Sequence, residues 1–199
     1  MPVPMNMFVR ALITGLVCVL TIRGVFPAEA SHPLRVAVFI DRGVVGSVDE
    51  ALGRASELFF QNSGRSVVFI SGDDVDIPRE LMDGAALSGE RGIAWIGTKK
   101  DVPDADVVIL ITDKFIAHDR MWGDGLARHT SALVRYGNIR QAVNVILHEL
   151  GHYCGAGHSS DPASIMHERS YAGTHFGEWT EHIRGNCGHP VFPEAALVP

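Results

Sequence analysis

The sequence predicts an α+β domain with a twisted, mixed β-sheet, one long histidine-bearing helix, and a smaller C-terminal part that ends in a helix. Three observations support this class. An apolar strand pattern, a helical pattern and a second strand pattern follow one another near the N-terminus. An unbroken apolar run lies between Asp106 and Thr112. An amphipathic pattern of helical period then extends from Ile139 to Cys154.

The first 30 residues have the pattern of a secretory signal peptide. Arg10 supplies the positive charge, and residues 11–22 form an apolar stretch that is short for a membrane span. Ala28-Glu29-Ala30 offers a cleavage site, after which the mature chain begins at Ser31. An uncleaved anchor is the alternative. We therefore expect a secreted or periplasmic protein with one domain, residues 31–199, a length of roughly 169 residues that suits a single core.

The charge balance restricts the partners. The formal net charge is −6 and the sequence pI is about 5.9, with 20% charged residues. An acidic chain is poorly suited to bind nucleic acid or an anionic membrane surface. We therefore expect neither nucleic acid nor, after signal cleavage, a membrane as partner, and we expect a monomer.

The N-terminal half is predicted to alternate strands and helices. Residues 34–41 are a continuous apolar run typical of a buried strand, and residues 66–71 are a second strand. Between them, residues 47–62 have helical periodicity, with Ser47 as N-cap and Glu50 completing a capping box.

The next segment is less regular until the strongest strand. Residues 78–89 are compatible with a short helix or an irregular insertion, and residues 93–97 with a short strand. Residues 106–112 form the strongest strand pattern, and its uninterrupted apolar character predicts burial on both faces.

The long helix has clear boundary signals. Asn138 is a favourable N-cap and Gln141 completes a capping box at its start. Gly155 follows the last helical residue, where a left-handed turn favours glycine. A second helix, residues 179–187, closes the chain, with its apolar side chains facing the domain.

A dense histidine pattern spans the end of the long helix. His148, Glu149, His152, Gly155 and His158 follow the spacing His-Glu-x-x-His-x-x-Gly-x-x-His. Two histidines four residues apart lie on one helix face, and a glycine turn lets the third return to the same point. Three neutral imidazoles with an open fourth position are typical of catalytic zinc, and an adjacent carboxylate suits a general base. The alternative is a set of ordinary helix histidines.

The extended motif resembles the metzincin superfamily of zinc endopeptidases. Ser164-Ile165-Met166-His167 fits the methionine turn of those enzymes, and residues 158–166 look most like the matrixin branch, the matrix-metalloproteinase type. The resemblance implies a metzincin-like zincin fold with an upper part, about residues 31–158, and a lower part, about residues 159–199. It implies that His148, His152 and His158 bind zinc, that Glu149 is the general base, and that Met166 lies beneath the metal.

Some positions depart from the related families. Glu168 stands where astacin-like and serralysin-like enzymes place a tyrosine ligand, which disfavours those branches. Tyr171 lies one residue beyond the tyrosine that lines the matrixin specificity pocket. A cysteine-bearing propeptide is not expected before the first strand. The downstream cysteine array by which archaemetzincin-like proteins bind a second zinc is also missing from the sequence.

The resemblance also predicts a substrate-binding edge strand between the strong strand and the zinc helix. Residues 132–136 are the candidate, and a peptide would add to this edge as an antiparallel strand. Ala132, Leu133 and Val134 are then substrate-binding residues, together with Tyr171. A surface loop is the alternative, given the nearby glycines.

Three weaker groups complete the candidate residues. Cys154 and Cys187 form either a disulfide or two free thiols. Asp73, Asp74 and Asp76 could bind a structural Ca²⁺ or form a solvated turn. Four polar residues could hold a second, structural Zn²⁺ or simply lie on the surface: His118, Asp119, Asp124 and His129.

Together these patterns predict a secreted zinc-dependent endopeptidase that acts on peptide or protein substrates, with one catalytic Zn²⁺ and Glu149 as general base. Two alternatives stay open at this point. One is a zinc hydrolase of a non-peptide or cell-wall amide, and the other is a metal-bound, non-catalytic binding module.

Overall fold

The structure is a computed structural model that describes residues 32–99, 102–119, 121–169 and 172–187. The predicted signal peptide, residues 1–30, and Tyr171 lie outside the described residues. In the part that is described, no helix is long and apolar enough to cross a membrane.

The domain contains nine strands and four α-helices within the described residues. In chain order they are β1 (Leu34–Asp41), α1 (Val48–Ser63), β2 (Val67–Val75), β3 (Met82–Asp83), β4 (Ala86–Ser88), α2 (Gly89–Ile96), β5 (Val107–Thr112), β6 (Ile116–His118), β7 (Met121–Gly123), β8 (Gly125–Arg128), β9 (Ser131–Arg135), α3 (Ile139–Tyr153) and α4 (Thr180–Asn186).

The main sheet has five strands in the order β2-β1-β5-β9-β8. The first four are parallel to one another, and β8 is antiparallel to β9, so the sheet is mixed as predicted. The strong strand β5 is central, and all of its residues are buried. Ile109 and Ile111 pack into a core with α1 and α3, whereas Val108 and Leu110 pack into a second core on the opposite face. This alternation confirms burial on both faces.

A second, smaller sheet, β3-β4-β6-β7, lies with α2 on the side of the second core. The predicted strand at residues 93–97 is wrong, because this segment belongs to α2. Short apolar runs do not distinguish strand from helix by pattern alone. Gly92 allows the close packing of α2, since a β-carbon there would lie 2.9 Å from Leu133 Cδ1.

The predicted edge strand is also wrong. The segment 132–136 falls largely in β9, which lies between β5 and β8, and the sheet edge is β8. Successive residues of β9 are buried on both faces of the sheet, which is typical of an interior strand. Gly123 shortly before β8 and Gly125 at its start conceal its strand character in the sequence.

The helix boundaries follow the predictions, but one cap differs. Asn138 Oδ1 accepts a hydrogen bond from the Gln141 backbone N–H at 3.0 Å and caps α3. Ser47 precedes α1 without a side-chain capping bond, and Glu50 pairs with Arg54 at 2.6 Å instead of completing a capping box.

Candidate metal centre

The helix α3 places two of the predicted ligands one turn apart. His148 and His152 have ring centroids separated by 4.6 Å. The buried face of the helix carries Val143, Ile146, Leu147 and Leu150 and fixes its rotation against the sheet. The two imidazoles therefore lie on one side of a firmly packed helix.

The chain leaves α3 at Gly155 and brings the third histidine to the same point. Gly155 has φ of 85°, a left-handed conformation that residues with a β-carbon rarely adopt. The His158 ring centroid lies 4.9 Å from that of His152 and 5.3 Å from that of His148. The candidate ligand nitrogens of the three residues all lie within 4.8 Å of one another.

Backbone carbonyls orient the two helix histidines. His148 Nδ1 lies 2.9 Å from the Ile165 carbonyl oxygen, and His152 Nδ1 lies 2.9 Å from that of Ala156. A carbonyl only accepts, so each Nδ1 carries the proton and each Nε2 presents a lone pair. The two Nε2 atoms are 3.0 Å apart. Facing lone pairs at this distance are stabilised by a shared cation, and a ligand nitrogen fixed through its second nitrogen is typical of metal sites.

Burial keeps these two imidazoles neutral. Burial lowers the pKa of His148 to about 4 and the pKa of His152 to about 3, and the neighbouring histidines act in the same direction. Metal binding requires the unprotonated ring. The donor set of three imidazoles, two of which burial keeps neutral, therefore fits Zn²⁺, which takes imidazole nitrogens at about 2.0–2.1 Å.

The other candidate metal sites do not assemble in the described part of the chain. There, the three histidines are the only group of His, Cys, Asp or Glu side chains placed to hold an ion. Asp124 pairs with Arg135 at 2.8 Å, and His118 Nε2 lies 2.9 Å from Asp119. The acidic residues at 73, 74 and 76 likewise form no such group.

Glu149 is held in a buried position next to His148 on α3. Its side chain is 5% exposed, and burial raises its pKa to about 8. A cation held by the histidines acts in the opposite direction, because a nearby positive charge favours the ionised carboxylate. The carboxylate lies directly against Gly125 of β8: a β-carbon on that glycine would be 2.1 Å from Glu149 Oε1. Sequence reasoning did not identify Gly125 as part of the site.

Met166 lies fully buried beneath the helix. A β-carbon at Gly151 would lie 2.3 Å from Met166 Sδ, so the missing side chain of Gly151 makes room for the methionine. The Met166 carbonyl accepts a hydrogen bond from the Ser159 N–H at 2.9 Å. Since the neighbouring Ile165 carbonyl holds His148, this turn both supports the helix and orients a candidate ligand.

His158 is the most exposed of the three histidines. His158 Nδ1 lies 3.7 Å from Glu168 Oε2, and both side chains are about half exposed. An open depression of about 460 Å³ adjoins this pair. It is lined by His158, Ser159, Ser160, His167, Glu168 and Arg169.

Cys154 and Cys187 are joined by a disulfide bond, with Cα atoms 4.4 Å apart. The bond fastens the end of α3 to the end of α4. The Arg184 Nε–H donates to the Ser63 carbonyl at 3.0 Å, which links α4 to the end of α1. The C-terminal helix is thus anchored close to the turn that follows α3 and leads to His158.

The predicted substrate-binding residues of β9 do not line a cleft. Ala132, Leu133 and Val134 are at most 2% exposed, because β9 is covered on both faces and paired on both edges. Tyr171 lies outside the described residues. An open depression of about 540 Å³ lies instead between the start of α3 and the residue before β8. It is lined by Asp124, Arg135, Asn138, Arg140, Gln141 and Ala172.

Three solved structures resemble the domain. Archaemetzincin from Methanopyrus kandleri aligns with a TM-score of 0.68 and 17% identity, covering 82% of this chain and 99% of that one. A zinc-dependent peptidase from Methanocorpusculum labreanum aligns at 0.53 and 20% identity, covering 68% and 90%. Metalloproteinase-II from Bacteroides fragilis aligns at 0.56 and 18% identity, covering 79% and 54%.

These likenesses establish the fold. The domain has the architecture of zinc-dependent peptidases, and the archaemetzincin likeness extends over nearly the whole of that chain. No protein-family model matches the sequence, and no curated protein matches it.

Proposed function

We propose that the protein is a zinc-dependent endopeptidase in which His148, His152 and His158 bind the metal and Glu149 is the general base. One observation carries the proposal: two neutral helix imidazoles with oriented Nδ1 atoms and a third from the following turn converge beside a buried carboxylate. The peptidase folds that the domain resembles support the same conclusion.

The chain's own residues provide the proton transfer and the positioning. When bound, zinc lowers the pKa of a coordinated water from about 15.7 towards 7 and polarises the substrate carbonyl. Glu149 accepts the proton of the attacking water and delivers it to the leaving amine. The missing side chain of Gly125 leaves room for the carboxylate against β8, so that the carboxylate has a defined position before substrate binds. The Ile165 and Ala156 carbonyls hold the His148 and His152 rings in a fixed orientation.

The substrate path follows β8, the edge of the main sheet. The strand pairs with β9 on one side, and its other edge has no strand partner among the described residues. An extended peptide that adds to this edge as an antiparallel strand brings its backbone past Gly125 and therefore past the Glu149 carboxylate. This substrate path along β8 replaces the one predicted from the sequence along residues 132–136.

The finer assignment is to a matrixin-like metzincin that is exported from the cell. The segment from His158 to Met166, with its Ser159 and Asp161-Pro162 turn, supports the matrixin resemblance. The signal-peptide pattern of residues 1–30 supports export, and a disulfide between Cys154 and Cys187 suits an oxidising compartment.

A peptide-library digestion tests the proposal. Purified residues 31–199 are stripped with chelator, reloaded with Zn²⁺, and incubated with unstructured peptides, and the products are identified by mass spectrometry. We expect internal cleavage that disappears with chelator and returns with zinc. Zinc binding without any peptide cleavage, or hydrolysis confined to non-peptide amides, would contradict the endopeptidase assignment.

A further inference from the structure

An exposed aromatic pair lies on the hairpin that precedes the substrate edge. Six large apolar side chains are exposed among the described residues, and three of them belong to the short segment 115–122: Phe115, Met121 and Trp122. Trp122 is 62% exposed. Clusters of exposed apolar side chains beside a cleft are typical of binding surfaces.

Phe115 and Trp122 form one surface, which we term the aromatic face. Trp122 pairs with Ala117 across the β6–β7 hairpin, and Phe115 lies two residues before Ala117. Side chains two residues apart share one face of a strand, so both rings lie on the same side. Their centroids are 5.8 Å apart with an interplanar angle of 30°. Met121 lies next to Trp122 and therefore points to the other face.

Arg135 connects the aromatic face to the cleft. Its guanidinium carbon lies 3.7 Å from the Phe115 ring centroid, and its Nη1 donates to Asp124 Oδ1 at 2.8 Å. Asp124 directly precedes Gly125, which lies against the Glu149 carboxylate. Arg135 and Asp124 also line the 540 Å³ depression. Arg135 and Asp124 thus link the aromatic face to the start of β8, which lies against the Glu149 carboxylate.

The distance along the chain limits which substrate residue reaches this face. Trp122 precedes Gly125 by three positions, and three residues of extended chain span at most about 10 Å. A bound peptide advances about 3.3–3.4 Å per residue. The aromatic face therefore lies within reach of side chains about two to four residues from the bond beside Glu149.

The direction of β8 determines whether substrate residues before or after the cleaved bond approach the aromatic face. A peptide antiparallel to β8 places its N-terminal half opposite residues 126–128 and its C-terminal half opposite the residues before Gly125. Trp122 comes before Gly125 in the chain. Substrate residues on the C-terminal side of the cleaved bond consequently approach the aromatic face.

We propose that Phe115 and Trp122 form a subsite that binds an apolar side chain two to four residues after the cleaved bond. The inference rests on the proposed endopeptidase function and adds a substrate preference to it. The rings contribute contact area at a small cost in conformational entropy, and the Arg135 guanidinium packs over one face of the Phe115 ring and fixes its position.

The test compares cleavage preferences of the zinc-loaded wild type and three variants. The library first gives the wild-type preference at each position after the cleaved bond. Two peptides that differ only by leucine or serine at the preferred position are then compared. We expect Trp122→Ala to lower the leucine-to-serine ratio of kcat/KM about tenfold, the size of a lost apolar contact. Trp122→Phe should keep most of the ratio.

Met121→Ala is the matched control, because it removes an exposed apolar side chain from the adjacent position on the opposite face. It should leave the ratio unchanged, and circular dichroism should show that every variant is folded. A wild type without apolar preference at these positions, or an unchanged ratio in Trp122→Ala, would overturn the subsite while leaving the peptidase assignment intact. A wild-type protein that cleaves no peptide would contradict both the subsite and the endopeptidase assignment.

Discussion

Gly125→Ala is a direct test of how Glu149, the proposed base, is positioned. The added β-carbon would lie 2.1 Å from Glu149 Oε1 and 2.7 Å from Val145 Cγ1, whereas real β-carbon contacts essentially never fall below 3.0 Å. Gly125 does not have a positive φ, so alanine introduces no backbone strain. The carboxylate is the movable end of a side chain, and it must retreat.

The required movement sets the size of the effect. The carboxylate must shift by roughly 1 Å, and a misplacement of that size in a catalytic group costs about 100-fold in rate. This corresponds to about 2.7 kcal/mol of transition-state stabilisation. The extra methyl group should cost about 1–2 kcal/mol of stability by overpacking against Val145, so the protein should stay folded.

The assay measures kcat/KM, zinc content and the free energy of unfolding for Gly125→Ala and for Gly123→Ala. Gly123 is the matched control, because its β-carbon would meet only the Gly125 carbonyl oxygen at 3.7 Å, an ordinary contact. We expect full zinc content in both variants and an activity loss in Gly125→Ala alone. Wild-type turnover by Gly125→Ala would refute the placement of the base. An equal loss of activity in both variants would show that the loss does not come from the contact between Gly125 and Glu149.

Three further predictions concern the support of the site. His152→Ala should lose both zinc, measured by metal analysis, and turnover; retained stoichiometric zinc would exclude His152 as a ligand. Cys187→Ser removes the disulfide to Cys154, which closes a loop of 33 positions, and should lower the free energy of unfolding in urea by about 4 kcal/mol. An unchanged urea midpoint would show that the disulfide does not stabilise the domain. Gly151→Ala places a β-carbon 2.3 Å from Met166 Sδ and should lower stability by about 1–3 kcal/mol; a raised Tm would contradict this packing.

The features that the sequence predicts well depend on local chemistry. The spacing of His148 and His152 and the cap at Asn138 are set by the helical period and by one side-chain hydrogen bond. The turn at Gly155 requires a positive φ, which glycine adopts easily. These features need no knowledge of distant parts of the chain.

The features that were predicted incorrectly from the sequence depend on contacts between segments far apart in the chain. Whether β9 or β8 forms the edge is determined by which strand pairs with β5, and the paired residues Val108 and Ser131 are 23 positions apart (131 − 108). The apolar residues in 93–97 fit both a strand and a helix, because the run is too short to show a period. Packing of Ile96 in the second core favours the helix α2.

Two features of the site could not be anticipated from the motif. The Ile165 carbonyl orients His148 from the methionine turn, and Gly125 borders Glu149 from the sheet. Each is a contact between segments far apart in sequence. A glycine inside an apolar strand pattern is the single sequence signal for such a close approach.

Glu149→Ala at matched zinc content tests the central claim most directly. The substitution removes the carboxylate and leaves all three imidazoles in place. We predict one zinc per chain in both wild type and variant, and a loss of nearly all peptide hydrolysis in the variant, measured on the same peptide at the same enzyme concentration. A zinc-loaded Glu149→Ala protein with a near-normal rate of peptide hydrolysis would contradict the assignment of Glu149 as the base.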